Sequence, residues 1–326
     1  MKNIIFQILA VSFSMLVIPL FSLSGYDGNA TETAAVNNDI IFEEKPNITL
    51  KGQNYESFKV LKDEKIYEIS AKDYVFGVVA AEMPALYHEE ALKAQAVAAY
   101  TFACYRKSAN ADADYDIAAD PETAQCYITR EEAVAKWGEK ADEYTKKIED
   151  CISQTEGQIL TYDGLPIFAA YHAISPGITN ACADVWGKEL PYLTSQDSSF
   201  DCLADKYLSE VVLTKEELSE KLKNIATASG EAQNYFTDIK TADSGYVKQV
   251  TYCQKTISGS DLSKLLGLRS GNFEITYSDG NFKFTVKGYG HGVGMSQNGA
   301  DYMAKQGSNY KEILSHYYAG AKLEKI

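Results

Sequence analysis

The sequence is poor in basic residues and has no stretch in which they are concentrated. It contains 31 lysines and arginines against 45 aspartates and glutamates, which gives a formal net charge of −14. Because a chain of this charge repels phosphate backbones, we expect no nucleic-acid partner. Much of the acidic excess lies in runs such as 215–223, which are typical of solvated helix faces and indicate no catalytic role.

Signatures of several common architectures are also missing. The chain has no internal repeat with a period of roughly 20–50 residues, which argues against a solenoid or a propeller. It has no G-x-S-x-G elbow, no Walker loop and no G-x-G-x-x-G fingerprint, so an α/β-hydrolase and a nucleotide site are disfavoured. With 326 residues, 45% of them hydrophobic, the chain is long enough for one or two globular domains.

The cysteines form no C-x-x-C pair. Since the chain is predicted to be exported, disulfides are permitted, yet a domain of this size does not need them. Buried free thiols and one or two disulfides therefore both stay open. A zinc site built on His172, Cys182 and Cys202 would have a spacing that matches no common structural zinc motif, so no metal is expected there. The six cysteines are Cys104, Cys126, Cys151, Cys182, Cys202 and Cys253.

Charged residues are absent from positions 4–23, which is the length needed to cross a bilayer as a helix. No small-x-small cleavage pattern follows. We therefore expect residues 1–24 to be a retained signal anchor, with a removed leader as the alternative, and a retained anchor makes the chain a single-pass cell-membrane protein with an extracytoplasmic body. Residues 25–54 are predicted to be a flexible linker, and residues 55–326 the folded domain.

Strand and helix patterns alternate irregularly in the predicted domain. This mixture lacks strict βαβ order and predicts an α+β fold in which helical and β subdomains form one compact domain. The predicted elements are a hairpin from Ser57 to Ser70, a helix capped by Ser70 and Asp73 that runs to Met83, helices at about 89–107 and 130–150, a hairpin around Asp163-Gly164, an acidic helix capped by Thr214 and Glu217, and strands with one short helix over 246–287.

Glu82 stands at the end of an apolar helical run. On that helix it shares a face with Val75, Val78 and Val79, so its carboxyl group projects from an apolar stripe. Burial would raise its pKa, and a carboxyl that stays protonated near neutral pH can donate a proton to a glycosidic oxygen. The alternative is a helix-end glutamate that reaches water beside Pro84. The residue pattern leaves both interpretations open.

Two further segments combine histidine with small or polar residues. In 287–307, alternating glycines surround His291, and Ser296 and Gln297 open a predicted helix. This segment is either a structural loop or one that faces a ligand. In 169–187, His172 ends an apolar strand and is followed by a polar loop.

Six motifs occur in a fixed order along the chain. They are "AAEMP…EALKAQAVAAYTF", "YHAISPG…T…DVWG", "LPYLTSQDSSFD", "LLGLRSGNF", "GYGHGVGMSQNGA" and "ILSHYYAG". In this order they resemble the stage II sporulation protein D family, whose wider group includes the amidase-enhancer proteins of bacterial walls. The resemblance spans about residues 55–320.

The resemblance implies a lytic transglycosylase that cuts the MurNAc–GlcNAc bonds of peptidoglycan strands already stripped of stem peptides. Glu82 occupies the glutamate position of the family's E-M-P motif and would be the acid/base, with no cofactor. The family also implies a cell-wall amidase and an integral membrane sporulation protein as partners, and a place at the sporulation septum. The alternative function is a non-catalytic glycan-binding protein that enhances an amidase.

Within the motifs, polar and aromatic side chains are the expected substrate contacts. The tyrosines among them could stack on sugar rings or could belong to the core. The predicted substrate-binding residues are His172, Ser175, Tyr192, His291, Ser296, Gln297 and Tyr317.

The chain departs from the family pattern at three places. Tyr100 replaces a common arginine, which predicts the loss of a cation near the acid or the substrate. Asn298 replaces a usual aromatic residue. Where some relatives bind zinc through His, Cys and Cys, this sequence reads Asp114, Asp120 and Cys126, so we expect no metal.

Overall fold

The computed structural model describes residues 54–110, 113–120 and 124–326, all of which belong to one compact unit. The predicted anchor at 1–24 lies outside the described residues, and so does nearly all of the predicted linker at 25–54. No helix in the described part of the chain is long and apolar enough to span a membrane. The anchor and the extracytoplasmic location therefore stay predictions.

The described chain mixes short strands with helices in an α+β fold. The strands are β1 Ser57–Lys62, β2 Lys65–Ser70, β3 Ile117–Ala118, β4 Gln158–Tyr162, β5 Leu165–Pro166, β6 Tyr171–His172, β7 Leu208–Thr214, β8 Phe236–Thr241, β9 Val247–Tyr252, β10 Lys255–Ser258, β11 Asn272–Ser278, β12 Asn281–Lys287, β13 Met295–Ser296 and β14 Lys322–Lys325. The α-helices are α1 Ala71–Glu82, α2 Glu89–Ala109, α3 Arg130–Trp137, α4 Ala141–Gln154, α5 Cys182–Trp186, α6 Lys215–Lys221, α7 Gly259–Leu266, α8 Gln297–Lys305 and α9 Tyr310–Tyr317.

The first hairpin and helix follow the predicted pattern. Strands β1 and β2 pair antiparallel with Ser57 opposite Ser70. Ser70 then caps α1, since its side chain accepts a hydrogen bond from the amide of Asp73. The helix ends at Glu82 because Met83, the residue before Pro84, takes an extended conformation. This stop places Glu82 on the last turn.

The single helix predicted at 130–150 is wrong. The structure has two helices, α3 and α4, separated by a 3-10 turn at Gly138–Lys140. Gly138 has φ of +55°, which a right-handed helix cannot accommodate. The hairpin at Asp163-Gly164 and the capping box of Thr214 with Glu217 form as predicted.

The first core surrounds α2, which packs against α1, α4, α8, α9 and β4. Its alanines allow this because they leave several faces of the helix open to close neighbours. The faces that contact these neighbours carry the fully buried residues Ala91, Ala94, Ala98, Ala99 and Ala103.

A second core fills the segment from β7 to β12. Two antiparallel sheets, ordered β11-β12-β7 and β10-β9-β8, pack with α6 and α7 around aromatic side chains such as Tyr252, Phe282 and Phe284. The alternation of strands with one short helix predicted for 246–287 is confirmed.

The glycine segment 288–294 carries the chain from the second core back to the first. Gly288, Gly290, Gly292 and Gly294 all have positive φ, between +73° and +102°. A side chain at Gly294 would collide with the carbonyl group of Ala170. Because the backbone of Ala170 leads directly into β6, this close approach fixes the strand that carries Tyr171 and His172.

We expect Gly294→Ala to destabilise the protein more than Gly280→Ala. Both glycines have positive φ, so each substitution carries a backbone strain of about 1–2 kcal/mol. Gly280 faces open space, whereas Gly294 abuts backbone atoms and should cost roughly a further 1–3 kcal/mol. Urea unfolding of both variants checks this, and equal losses would contradict the packing argument.

Candidate active site

A cavity of about 420 Å³ lies at the C-terminal end of α1. Its volume falls within the range typical of small-ligand sites. Glu82 is the one carboxylate among the described residues that line it. The polar and aromatic lining residues are Glu82, Gln125, Cys126, Tyr171, His172, Trp186, Tyr289, His291 and Gln297, together with Phe102 and Phe168.

Three hydrogen-bond donors hold the carboxyl group of Glu82. The backbone amide of Cys126 donates to Oε1 at 2.9 Å, and the side chains of Gln297 and Tyr171 also form hydrogen bonds with the carboxyl group. Burial nevertheless raises the pKa of Glu82 above its ordinary value of 4.5, because desolvation outweighs these donors and the more distant Lys136. The neutral acid is therefore favoured more than it would be in an exposed glutamate.

A chain of hydrogen bonds orients Tyr171 toward Glu82. The hydroxyl of Tyr74 donates to Oε1 of Gln125 at 3.0 Å, and Nε2 of Gln125 donates to the hydroxyl of Tyr171 at 2.8 Å. Since that hydroxyl already accepts a hydrogen bond, its own proton is available for Glu82. Burial raises the pKa of Tyr171 well above 10, and the nearby Glu82 raises it further, so the phenol stays a donor.

The two cavity histidines are neutral. Nδ1 of His172 donates to the carbonyl oxygen of Val293 at 3.2 Å, while Nδ1 of His291 accepts from the amide of Val293 at 3.0 Å. Burial lowers the pKa of His172 to about 3 and that of His291 to about 4. The ring of His291 lies 4.9 Å from that of Trp186. These rings form a wall of the cavity without adding a cation.

The predicted residues His172, His291 and Gln297 thus lie together with Glu82, whereas Ser175 and Tyr192 do not line the cavity. The Ser175 hydroxyl is buried and accepts a hydrogen bond from the amide of Gly177 at 3.1 Å. The Tyr192 hydroxyl is turned into the first core, where it accepts from the amide of Phe168 at 3.2 Å. The geometry gives these two residues structural roles.

Ser296 and Tyr317 also lie outside the cavity lining. The Ser296 hydroxyl caps α8 by accepting from the amide of Gly299 at 3.1 Å. The hydroxyl of Tyr317 lies 2.8 Å from that of Ser198, and the Tyr317 ring is only 1% exposed. Their predicted contacts with sugar have no support in this geometry.

Asn298 supports a buried carboxylate instead of a sugar. Its Nδ2 donates to Oδ1 of Asp201 at 2.9 Å. Asp201 also accepts from the amide of Ser175 at 2.8 Å and from the hydroxyl of Ser198 at 2.9 Å. These bonds join the loop after β6 to the start of α8, and so they position Gln297.

Tyr100 lies away from Glu82. Its hydroxyl donates to the carbonyl oxygen of Tyr55 at 3.3 Å, and its ring lines a separate cavity of about 290 Å³ with Ala96 and Ile152. The expectation that this replacement removes a cation from beside the acid is therefore not supported by the structure.

All six cysteines are free thiols in the structure. Among the described residues, no group of three or more His, Cys, Asp or Glu side chains could hold a metal ion. Of the three residues at the relatives' zinc positions, Cys126 lies in the cavity, where its amide serves Glu82.

Besides Phe102 and Phe168, sequence reasoning missed five polar or aromatic residues that line the cavity. Tyr171, Trp186 and Tyr289 lie within the quoted motifs, beside residues that were selected, so their aromatic character was a usable signal. Gln125 and Cys126 lie in an irregular segment without periodicity. Only the fold brings that segment to the end of α1.

The fold and the site define an α+β protein with an aromatic-walled cavity that holds the half-buried carboxyl group of Glu82. Residues 61–162 match the model of the SpoIID family, described as stage II sporulation protein. The chain is 33% identical to stage II sporulation protein D of Bacillus amyloliquefaciens, over 99% of this chain and 96% of that protein. It is 34% identical to stage II sporulation protein D of Bacillus subtilis, over 80% of this chain and 76% of that protein.

A more distant relative is a protein of Bacillus subtilis named amidase enhancer. It is 28% identical, and the match covers 76% of this chain and 40% of that protein. The long matches to the two sporulation proteins show that the chain belongs to the stage II sporulation protein D family, as the order of the motifs predicts.

We expect Glu82→Gln to gain stability relative to the wild type as pH rises above about 4.5. The raised pKa means that the folded wild type is most stable with Glu82 protonated and loses that contribution as the carboxyl ionises. Glutamine is neutral throughout. Melting temperatures measured between pH 4 and 8 check this.

Glu189→Gln is the matched control, because it removes one carboxylate from an exposed position outside the cavity. Its melting temperature should follow that of the wild type across the series. If the melting temperatures of both variants rose in parallel relative to the wild type, the cause would be the change in net charge and not the loss of the Glu82 carboxyl.

Proposed function

We propose that the protein is a lytic transglycosylase that cleaves the MurNAc–GlcNAc bonds of denuded peptidoglycan strands, with Glu82 as the acid/base. The observation that carries this proposal is the carboxyl group of Glu82, the one carboxyl among the described residues that line the cavity. Burial raises its pKa, and three hydrogen-bond donors are placed to stabilise the carboxylate once the proton has left. Membership of a sporulation family supports a cell-wall role.

In the first half of the proposed reaction, protonated Glu82 transfers its proton to the glycosidic oxygen. The bond between that oxygen and C1 of MurNAc breaks, the GlcNAc end leaves as an alcohol, and positive charge develops on the muramyl ring. The carboxylate now on Glu82 is stabilised by the amide of Cys126 and by the side chains of Gln297 and Tyr171.

In the second half, the Glu82 carboxylate removes the proton from the C6 hydroxyl of the same muramyl ring. The C6 oxygen forms a bond with C1, which closes a 1,6-anhydro ring, and Glu82 is protonated again. No water is consumed. One carboxyl group therefore serves both steps, provided that its two protonation states are close in free energy, and burial opposed by three donors favours this balance.

A hydrolase is less well supported by the same geometry. Glycoside hydrolases use a second carboxylate about 5–5.5 Å away as a nucleophile, or about 6.5–9.5 Å away to activate water. No second carboxylate is present among the described residues that line the cavity.

Aromatic and neutral polar groups suit an uncharged sugar ring. Trp186 and Tyr289 offer ring faces, and Nε2 of the neutral His172, which has no protein partner, can exchange a hydrogen bond with a hydroxyl or acetamido group. The neutral His291 ring, whose nitrogens bond to backbone groups, contributes a flat surface beside Trp186. With Gln297, the two histidines are our proposed substrate-groove residues. We further propose that the enzyme acts outside the membrane, anchored by residues 1–24, alongside a cell-wall amidase and an integral membrane sporulation protein.

The alternative function is a non-catalytic glycan-binding protein that stimulates an amidase. It is favoured by the relative named amidase enhancer, which covers 76% of this chain. In this case the cavity would bind glycan without changing it.

We expect Glu82→Gln to abolish the formation of 1,6-anhydro-muramyl ends while binding to peptidoglycan persists. The amide keeps the size of the carboxyl but cannot transfer the proton. Digestion of denuded strands with residues 55–326 in ¹⁸O-labelled water, read by mass spectrometry, checks this. Wild-type products should carry the anhydro ring and no label, whereas labelled reducing ends would contradict the mechanism.

The same variant distinguishes a transglycosylase from an amidase enhancer. An enhancer would stimulate a purified amidase equally well with glutamate or glutamine at position 82, and neither form would produce anhydro ends. Absence of these ends with high concentrations of wild-type protein would favour the enhancer.

We expect kcat/KM to fall as pH rises through the raised pKa of Glu82, since the free enzyme must start protonated. Tyr171→Phe removes a hydrogen-bond donor that lowers the pKa of Glu82. The falling limb of the plot of kcat/KM against pH should therefore move to higher pH, and the maximal rate should decrease. Tyr317→Phe, outside the cavity, is the control and should leave the limb in place. A limb that moves to lower pH in Tyr171→Phe would contradict the assigned hydrogen bond.

A further inference from the structure

An arginine that forms no ion pair with any described carboxylate stands at the rim of the cavity. The guanidinium of Arg269 lies over the ring of Tyr289, 4.2 Å from its centroid. Tyr289 lines the Glu82 cavity and is 47% exposed, so the stacked pair reaches from the cavity wall to solvent. We call Arg269 and Tyr289 the rim pair.

Backbone groups of two other segments hold Arg269 of the rim pair. Arg269 follows α7 in the second core, and its carbonyl oxygen accepts a hydrogen bond from the amide of Gly290 at 2.8 Å. One guanidinium nitrogen, Nη1, donates to the carbonyl oxygen of Lys206 at 3.2 Å. The backbone of Arg269 and one of its guanidinium nitrogens are hydrogen-bonded, and the guanidinium is stacked on the ring of Tyr289. These contacts give the guanidinium a defined orientation.

Most N–H groups of the Arg269 guanidinium have no protein acceptor among the described residues. A guanidinium has five N–H groups, and the structure gives protein acceptors to only a part of them. Among the described residues Arg269 forms no ion pair, whereas Arg130 pairs with both Asp73 and Glu149. In a chain with 45 acidic and 31 basic residues, a rim arginine that pairs with no carboxylate points to an anionic ligand.

We infer that the rim pair binds the lactyl carboxylate of a MurNAc residue in the strand, with Tyr289 contacting the sugar and Arg269 the carboxylate. This inference rests on the proposed function. While a stem peptide is attached, the lactyl group is a neutral amide, and removal of the peptide leaves a free carboxylate. A guanidinium binds a carboxylate through two parallel N–H bonds and has no equivalent bond with a substituted amide. The rim pair would thereby select strands that an amidase has already processed.

The test measures binding without turnover, in the Glu82→Gln background. The probes are denuded strands, the same strands after their carboxyl groups are converted to methylamides, and strands that keep their peptides. We expect Arg269→Gln to weaken binding of the denuded strands about tenfold or more. The methylamide strands should bind the two proteins equally, and weakly.

Matched variants keep the test specific. Lys255→Gln removes the same charge from an exposed strand end outside the cavity and should change nothing. Arg269→Lys keeps the charge without the bidentate geometry and should recover only part of the affinity. Circular dichroism and melting temperature establish that each variant is folded.

Competing ligands identify the source of the negative charge. Free MurNAc should compete with the strands, whereas GlcNAc and glycerol phosphate should not. Equal competition by glycerol phosphate would show a general anion site and overturn the inference. An equal loss of binding to methylamide strands in Arg269→Gln would overturn it too.

Failure of the proposed catalytic function can be told apart from failure of the rim-pair inference. If the wild type formed no anhydro ends but Arg269→Gln still lost its preference for carboxylate-bearing strands, the rim pair would stand as a binding subsite and the catalytic proposal would fall.

Discussion

The site depends on the opposition between desolvation and hydrogen bonding at Glu82. Burial at the end of α1 favours the neutral acid, while the amide of Cys126 and the side chains of Gln297 and Tyr171 favour the carboxylate. The net effect is a raised pKa, so the proton is held more tightly than on an exposed glutamate, while the donors stabilise the carboxylate that forms when the proton is transferred. Much of the surrounding structure serves to keep these donors in place.

The donors come from distant parts of the chain, and each is supported by its own packing. Tyr171 lies on β6, which pairs in parallel with β13, and the residue before β6, Ala170, lies directly against Gly294. Gln297 begins α8, whose start is tied to the buried Asp201 through Asn298. The glycine segment 288–294 thus allows a close approach between the two parts of the chain. It also places Tyr289 at the rim of the cavity.

The local elements could be predicted from the sequence because their causes are local. Ser70 and Pro84 bound α1, and Glu82 continues the stripe of the buried residues Val75, Val78 and Val79. Position 138 was missed because glycine only ends a helix where its φ turns positive, and periodicity does not report that. Ser175, Tyr192 and Tyr317 were selected by residue type, yet packing turned them inward. Cys126 acts through its backbone amide, which no side-chain pattern can reveal.

The central claim is that Glu82 is a buried carboxyl whose proton is retained beyond the usual range. Carbon-13 NMR of residues 55–326 with labelled glutamate, assigned by comparison with Glu82→Gln, measures this directly in the unliganded protein. The account predicts a titration midpoint clearly above 4.5 for this one carboxyl. A midpoint at or below 4.5 would contradict it.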